Sequence, residues 1–253
     1  MTTGSQTDAP AFLEVPGPTA PDWVLICDHA RNWVPDTVAG GNLGLPPEDM
    51  ARHIAFDPGA EGVTRALAAE LAAPAVISTF SRLVIDPNRS EDDPTLLMRL
   101  YDGSIIPGNR HADATERARR ITDWHRPYHK AVGALLARHP EALLVSIHSF
   151  TPQLRGRAPR PWHIGVLYAE DARLARPFLA AAQDEPDLCI GDNKPYSGHL
   201  PGDTMDRHGV QPGRPHVLIE LRNDLISTPE TQAAWGLRLA GLLRAAKTQM
   251  EET

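Results

Sequence analysis

Five short runs of this chain are apolar almost throughout: WVLICD (Trp23–Asp28), PAVIST (Pro74–Thr79), ALLVSIHS (Ala142–Ser149), HIGVLY (His163–Tyr168) and HVLIELR (His216–Arg222). They are too short for buried helices and lack the alternation of a strand with one wet face. They read as strands covered on both sides. RLVID (Arg82–Asp86) and DLCIG (Asp187–Gly191) add two more strands. Between them lie helical patterns. Pro46–Ile54 has proline in its first turn, and Pro58–Ala73 repeats Ala60, Val63, Leu67 and Leu71 at helical spacing. Residues 113–138 form a long helix expected to kink at Pro127, and helices at 171–183 and 228–248 follow. Strands alternating with helices predict an α/β fold: a single domain with a mostly parallel mixed sheet and helices on both faces. Residues 1–20, rich in Thr, Ser, Pro and Gly, read as a disordered tail, and 21–250 as the one catalytic domain.

Composition narrows the function. A formal net charge of −7 gives no electrostatic footprint for nucleic acid. Cys27 and Cys189 are too few for a disulfide framework or a cysteine-rich metal site. No run reaches the roughly 18 apolar residues that span a membrane. The N-terminal segment shows no signal-peptide pattern, so the expected location is the cytoplasm, with no membrane partner.

The reactive side chains collect where α/β sheets bind ligands, at the carboxyl ends of strands. Asp28-His29 ends the first strand, Asp86 leads into Asn88-Arg89, and His148-Ser149 ends the strand at 142–149. His163 begins its strand and is expected at the opposite edge. His29 and His148 suit a borderline ion such as zinc, whose hydrolytic sites take three protein ligands and keep one position open. Asp57, just before a helix, is the leading carboxylate candidate. Each also has a plainer reading, the histidines as structural hydrogen-bonding groups and Asp57 as a helix N-cap. Glu220, in an apolar strand, is either the ion-pair partner of Arg222 or a general base. Arg82 and Arg89 flank a strand end, and Asn88-Arg89 is shaped to grip a carboxylate. Tyr196 and His208 lie in a long loop, Asp192–Arg214, of the length that lids have. His53 and His216 read as structural or solvent-facing.

Phosphate-loop, dinucleotide and serine-elbow motifs are absent. The series ICDHARN (Ile26–Asn32), HIAFDPGA (His53–Ala60), SRLVIDPNR (Ser81–Arg89), IPGNR (Ile106–Arg110), VSIHSFTP (Val145–Pro152), PWHIGVLY (Pro161–Tyr168), GDNKPYSG (Gly191–Gly198) and HVLIELRND (His216–Asp224) resembles the N-formylglutamate amidohydrolase family. The resemblance is collinear from about Trp23 to Leu243. It implies a fold similar to zinc carboxypeptidases and aspartoacylases and a metal-dependent amide hydrolase. Carried over by position, His29, Asp57 and His148 hold one divalent ion, expected to be zinc. Glu220 handles protons, Arg82 stabilises the oxyanion, and Asn88 and Arg89 clamp the substrate carboxylate. Ser149, Tyr196, His208 and Arg222 complete the candidate substrate contacts. The implied partner is a small N-acyl amino acid, N-formyl-L-glutamate first. A zinc peptidase or cell-wall amidase on the same scaffold, and a non-catalytic carboxylate binder, are the competing expectations. The lack of a signal peptide weighs against the former, and the intact His29, His148 and Glu220 set against the latter.

Overall fold

The structure, a computed structural model, describes residues 10–252. Its elements in chain order are β1 (Phe12–Val15), β2 (Trp23–Cys27), α1 (Pro47–Met50), α2 (Ala60–Leu71), β3 (Ala75–Ser78), β4 (Leu100–Tyr101), β5 (Ser104–Ile105), α3 (Ala114–Arg120), α4 (Arg126–Arg138), β6 (Leu143–Phe150), β7 (Ile164–Leu167), α5 (Ala175–Gln183), β8 (Ile190–Asp192), β9 (His216–Arg222) and α6 (Pro229–Glu251). Seven strands make one mixed sheet in the order β1-β3-β2-β6-β9-β7-β8. The centre, β3-β2-β6-β9, is parallel, and antiparallel pairings join β1 to β3 and β7 to β9. Among the described residues no helix is long and apolar enough to cross a membrane.

Strand periodicity divides the core. Leu25 and Cys27 of β2, Val145 and Ile147 of β6, and Val217, Ile219 and Leu221 of β9 face α2, α5 and α6. The alternate residues Val24, Ile26, Leu144 and Leu218 face α4 and the loops beside it. By the same alternation His148 and Glu220 lie on the α4 face, and the register pairs them directly across β6 and β9. The sheet topology thus brings an imidazole and a carboxylate together before any loop is considered.

Several elements depart from the sequence expectations. Phe12–Val15, placed in the expected tail, pairs antiparallel with β3, while residues 1–9 lie outside the described residues. Arg82–Asp86 is not a strand but a buried turn. Loop backbone satisfies its amides: Arg82 N–H donates to Ala55 O and Asp86 N–H to Leu96 O. The helix expected over 46–54 is only α1, and the expected loop before His111 contains the β4–β5 hairpin. Asp102 and Gly103 turn that hairpin with φ of 41° and 82°. Just before Pro127 the helix widens through a π-helical turn at Ile121–His125. That turn accommodates a residue with no N–H to donate. His163 also sits at the other end from that expected: β7 runs antiparallel to β9, so Ile164 lies opposite Leu221 at the carboxyl edge.

Gly59 carries the chain from Asp57 into α2 at φ +85°, and a Cβ there would lie 2.4 Å from Ile226 O. Gly59→Ala combines left-handed strain with a backbone clash, an expected loss of about 2–5 kcal/mol. Urea denaturation measures it, and an unchanged midpoint would contradict this account of the turn.

Candidate active site

Asp57 is the meeting point. Its Oδ2 lies 2.8 Å from His148 Nδ1 and 3.4 Å from His29 Nδ1, and it accepts the Ser149 N–H at 3.2 Å. The Asp57 N–H donates to His29 O at 2.7 Å, which fixes the loop on the end of β2. Its side chain does not cap α2. The carboxylate is therefore spent on the two histidines and not on the helix it precedes. Burial alone would raise its pKa, but the His29 and His148 imidazoles outweigh burial and hold it far below the ordinary range.

The remaining ring nitrogens also face carboxylates. His29 Nε2 is 2.7 Å from Asp86 Oδ1, and His148 Nε2 is 3.0 Å from Asp28 Oδ2. Asp28 is held in turn by the Tyr128 hydroxyl at 2.7 Å, and Asp86 by the Arg82 guanidinium at 2.7 Å. Against the cost of burial, Asp28 and Asp57 draw the His148 pKa well above its ordinary value.

His29, Asp57 and His148 each offer one ligand atom, and these atoms lie within 4.8 Å of one another. Among the described residues no other group of three does so. A tetrahedral ion with bonds of about 2.0–2.2 Å sets its ligand atoms about 3.3–3.6 Å apart. The 3.4 Å pair meets that spacing and the 2.8 Å pair falls about 0.5 Å short. Carboxylates behind ligating imidazoles are the usual outer support of such sites. The donor set fits a divalent ion.

A cleft of about 150 Å³ opens beside this group. Glu220, 7% exposed, lines it with an Oε2 that has no hydrogen-bond partner. Burial pushes the Glu220 pKa up to about 7, with Asp57 adding to the rise and His148 opposing it. Arg82 lies over the Tyr101 ring at 5.5 Å, with Nη1 3.6 Å from Asp57 Oδ1. Asn88 Oδ1 accepts the Thr204 N–H, which leaves its Nδ2 donors for the cleft. Arg89 donates to Thr95 Oγ1 and to Asn88 O. The Ser149 hydroxyl is engaged by Pro58 O, and the Tyr196 hydroxyl accepts from Arg160.

Nine of the eleven sequence-derived candidates line the cleft: His29, Asp57, Arg82, Asn88, Arg89, His148, Ser149, Tyr196 and Glu220. Two do not. His208 is turned away and hydrogen-bonds His129, and Arg222 donates to Asp224 beyond the sheet edge, so it is not the partner of Glu220. The structure adds residues that carried no functional signal. His53 and Tyr101 pack edge to face and line the cleft, as do His216 and Asp203. Asp28 and Asp86 stood at strand ends in the sequence, but nothing local said which histidine each would hold.

Burial raises the Asp203 pKa from 3.8 to about 6, with Asp28 adding to the rise. The fold therefore favours the neutral acid, and stability increases as the pH falls through 6 toward 4. Asp203→Asn keeps the oxygen that accepts the Asp206 N–H. It is expected to stabilise the protein by about 3 kcal/mol at pH 7.5 and hardly at all at pH 4. Thermal melts at both pH values check this, and an equal effect at both would contradict it.

The sequence profile of a family described as N-formylglutamate amidohydrolase matches residues 22–227. No curated protein matches the chain. Among solved structures, it is similar to a gene product from Agrobacterium tumefaciens, 34% identical with a TM-score of 0.88, over 96% of this chain and 97% of that one. It shares its fold with an N-formylglutamate amidohydrolase from Ralstonia eutropha, 21% identical with a TM-score of 0.62, over 93% of this chain and 99% of that one. The fold extends to a bacteriophage poly-gamma-glutamate hydrolase, 10% identical with a TM-score of 0.51, over 96% of this chain and 91% of that one. With a profile match over most of its length, the chain belongs to the N-formylglutamate amidohydrolase family.

Proposed function

We propose that this protein hydrolyses the amide of N-formyl-L-glutamate, or of a closely related N-acyl amino acid, to the free carboxylic acid and the amine. One observation carries the reading. A single cleft holds the His29–Asp57–His148 donor set, the unpartnered Glu220 carboxylate and the Asn88–Arg89 donors. A divalent ion held by His29, Asp57 and His148, zinc by the chemistry of the donors, supplies a Lewis acid that polarises the amide carbonyl and acidifies water.

The chain's own residues do the rest. Arg89 and Asn88 bind the substrate carboxylate and so place the scissile amide. Glu220 Oε2 takes a proton from the attacking water as the C–O bond forms. It returns that proton to the amine nitrogen as the C–N bond breaks. A pKa near 7 suits a group that must act as base and then as acid. Arg82, kept cationic by Asp86 despite its burial, directs Nη1 toward the charge that develops on the carbonyl oxygen.

Metal analysis of purified protein is expected to find one divalent ion per chain, lost in both His29→Ala and His148→Ala. Stoichiometric metal in both variants would falsify the assignment. Glu220→Gln is expected to retain the metal while kcat for formate release falls by about two to four powers of ten. An unchanged kcat would reduce Glu220 to a buried acid. Arg89→Lys, which replaces a planar fork by a point charge, is expected to raise KM for N-formylglutamate more than it lowers kcat. Identical kinetics in the variant and the parent would remove Arg89 from the site.

A further inference from the structure

Three buried histidines, His125, His129 and His208, take no part in the reaction above. His125 closes the π-helical turn and His129 stands four residues on in the first turn of α4, with ring centroids 4.5 Å apart. His129 Nε2 is 2.9 Å from Pro87 O, and His125 Nε2 is 2.9 Å from Arg89 O. A carbonyl oxygen only accepts, so both Nε2 atoms carry hydrogen. Burial lowers the pKa of all three rings, that of His208 to about 4. At neutral pH each ring therefore holds one proton. His129 Nδ1 is then an acceptor, and its partner His208 Nε2, 3.0 Å away, must donate. Every hydrogen along His208, His129 and Pro87 O has a defined direction. The two ring planes lie 25° apart with centroids 5.2 Å apart, the near-coplanar edge-on arrangement that such a bond requires.

The backbone these rings hold is the segment that presents Asn88 and Arg89. Further ties come from Thr204, four residues before His208 in the same stretch of chain, whose N–H donates to Asn88 Oδ1 and whose hydroxyl donates to Pro87 O, and from the Asn88 N–H, which donates to Asp86 Oδ1. Pro87 is held at its carbonyl, Asn88 at its side-chain oxygen and Arg89 at its carbonyl. Arg89 Nε and Nη1 are turned back onto Thr95 Oγ1 and Asn88 O, which leaves Asn88 Nδ2 and Arg89 Nη2 as the donors free for the cleft. Tyr128, next to His129 on α4, donates to Asp28 and so supports His148. One helix thus underlies both the metal-ligand group and the donors opposite it.

We propose that His125, His129 and His208 are positioning residues, a hydrogen-bonded brace that fixes Pro87–Arg89 so that Asn88 and Arg89 stand at a set distance from His29, Asp57 and His148. The proposal rests on the reading of Asn88–Arg89 as the carboxylate grip.

The test compares His129→Leu, which abolishes both hydrogen bonds, with His129→Gln, whose amide can donate to Pro87 O and accept from His208. His129→Leu is expected to raise KM for N-formylglutamate about 10- to 100-fold, with kcat within about threefold and the metal content unchanged. His129→Gln is expected to recover most of the loss. Combined with Arg89→Ala, His129→Leu should raise KM by a smaller factor than it does in the parent, since the brace acts in part through that side chain. Calorimetric binding of glutarate, a dicarboxylate probe, should follow the same order. Histidine 15N NMR of the metal-loaded parent should show His125 and His129 as Nε2–H tautomers. An unchanged KM and glutarate affinity in His129→Leu would overturn the brace, as would an Nδ1–H tautomer at His129 or full additivity with Arg89→Ala. Failure of the parent to bind glutarate or to release formate is a distinct result: it removes the carboxylate grip and the proposed reaction, while the tautomers still decide whether the brace exists.

Discussion

A single carboxylate oxygen organises this site. Asp57 Oδ2 receives His29 from the end of β2 and both His148 and Ser149 from the end of β6, and it does so 3% exposed. Burying an unpaired carboxylate at that depth would be prohibitive, and removing either partner would leave the other charge stranded. The loop carrying Asp57 is therefore locked to the sheet edge by electrostatic necessity as much as by packing. Each imidazole in turn has a carboxylate on both nitrogens. That frame accepts an imidazolium, with both N–H groups engaged. It equally accepts a neutral ring that keeps Nε2–H on Asp28 or Asp86 and turns the Nδ1 lone pair toward a cation. The outer carboxylates thus hold the rings in either state, as carboxylates behind ligating imidazoles would if the group took up an ion.

The sheet explains why these groups meet at all. Parallel β2, β6 and β9 end at one edge, and the period of two puts His148 and Glu220 on the same face and in register. The opposite face is given wholly to apolar contact with α2, α5 and α6. Stability and chemistry are thereby separated: one side of the sheet is sealed, and on the other the apolar core gives way to ionisable groups near the strand ends. The reversal of β7 closes the edge. Gly165 leaves room there for the Lys194 carbonyl, which a Cβ would approach to 2.1 Å, and the chain continues from Lys194 to Tyr196 at the cleft wall.

What was legible in the sequence follows from how local each signal is. Strand-end histidines, a lone glutamate in an apolar strand and an Asn-Arg pair announce themselves, because their chemistry contrasts with their immediate neighbours. Direction does not announce itself, and so His163 was expected at the wrong edge. Burial is also not conformation. Leu83, Val84 and Ile85 are fully buried and read as a strand, yet they form a turn whose amides are satisfied by loops far away in sequence. Phe12–Val15 has Glu14 in its middle and lies in a proline-rich stretch, which hides an edge strand. His208 and Arg222 lie near the right place in the chain, but their partners, His129 and Asp224, were decided by tertiary packing and by the chain's exit from β9. Tyr101 reached the cleft on a hairpin that only the Asp102-Gly103 pair hinted at.

The charge balance points the same way as the geometry. The chain is acidic overall, with a net charge of −7, which by itself repels an anionic substrate. The site's acids, however, are buried against His29, His148 and Arg82, so much of their field is compensated at contact distance. Many arginines elsewhere are similarly spent: Arg31 on Glu61, Arg52 on Asp102, Arg173 on Asp171, Arg238 on Glu185. Arg89 is different. Among the described residues it forms no ion pair with Asp or Glu, and the groups it touches, Thr95 Oγ1 and Asn88 O, are neutral acceptors. Its charge is felt by Asp86 and Asp203 without a direct ion pair to either, so the fork at the cleft keeps donor capacity that a planar carboxylate matches. In the proposed reaction a substrate carboxylate would meet that fork beside the His29–Asp57–His148 group, and this local match, not the net charge of −7, would decide whether an anion is admitted.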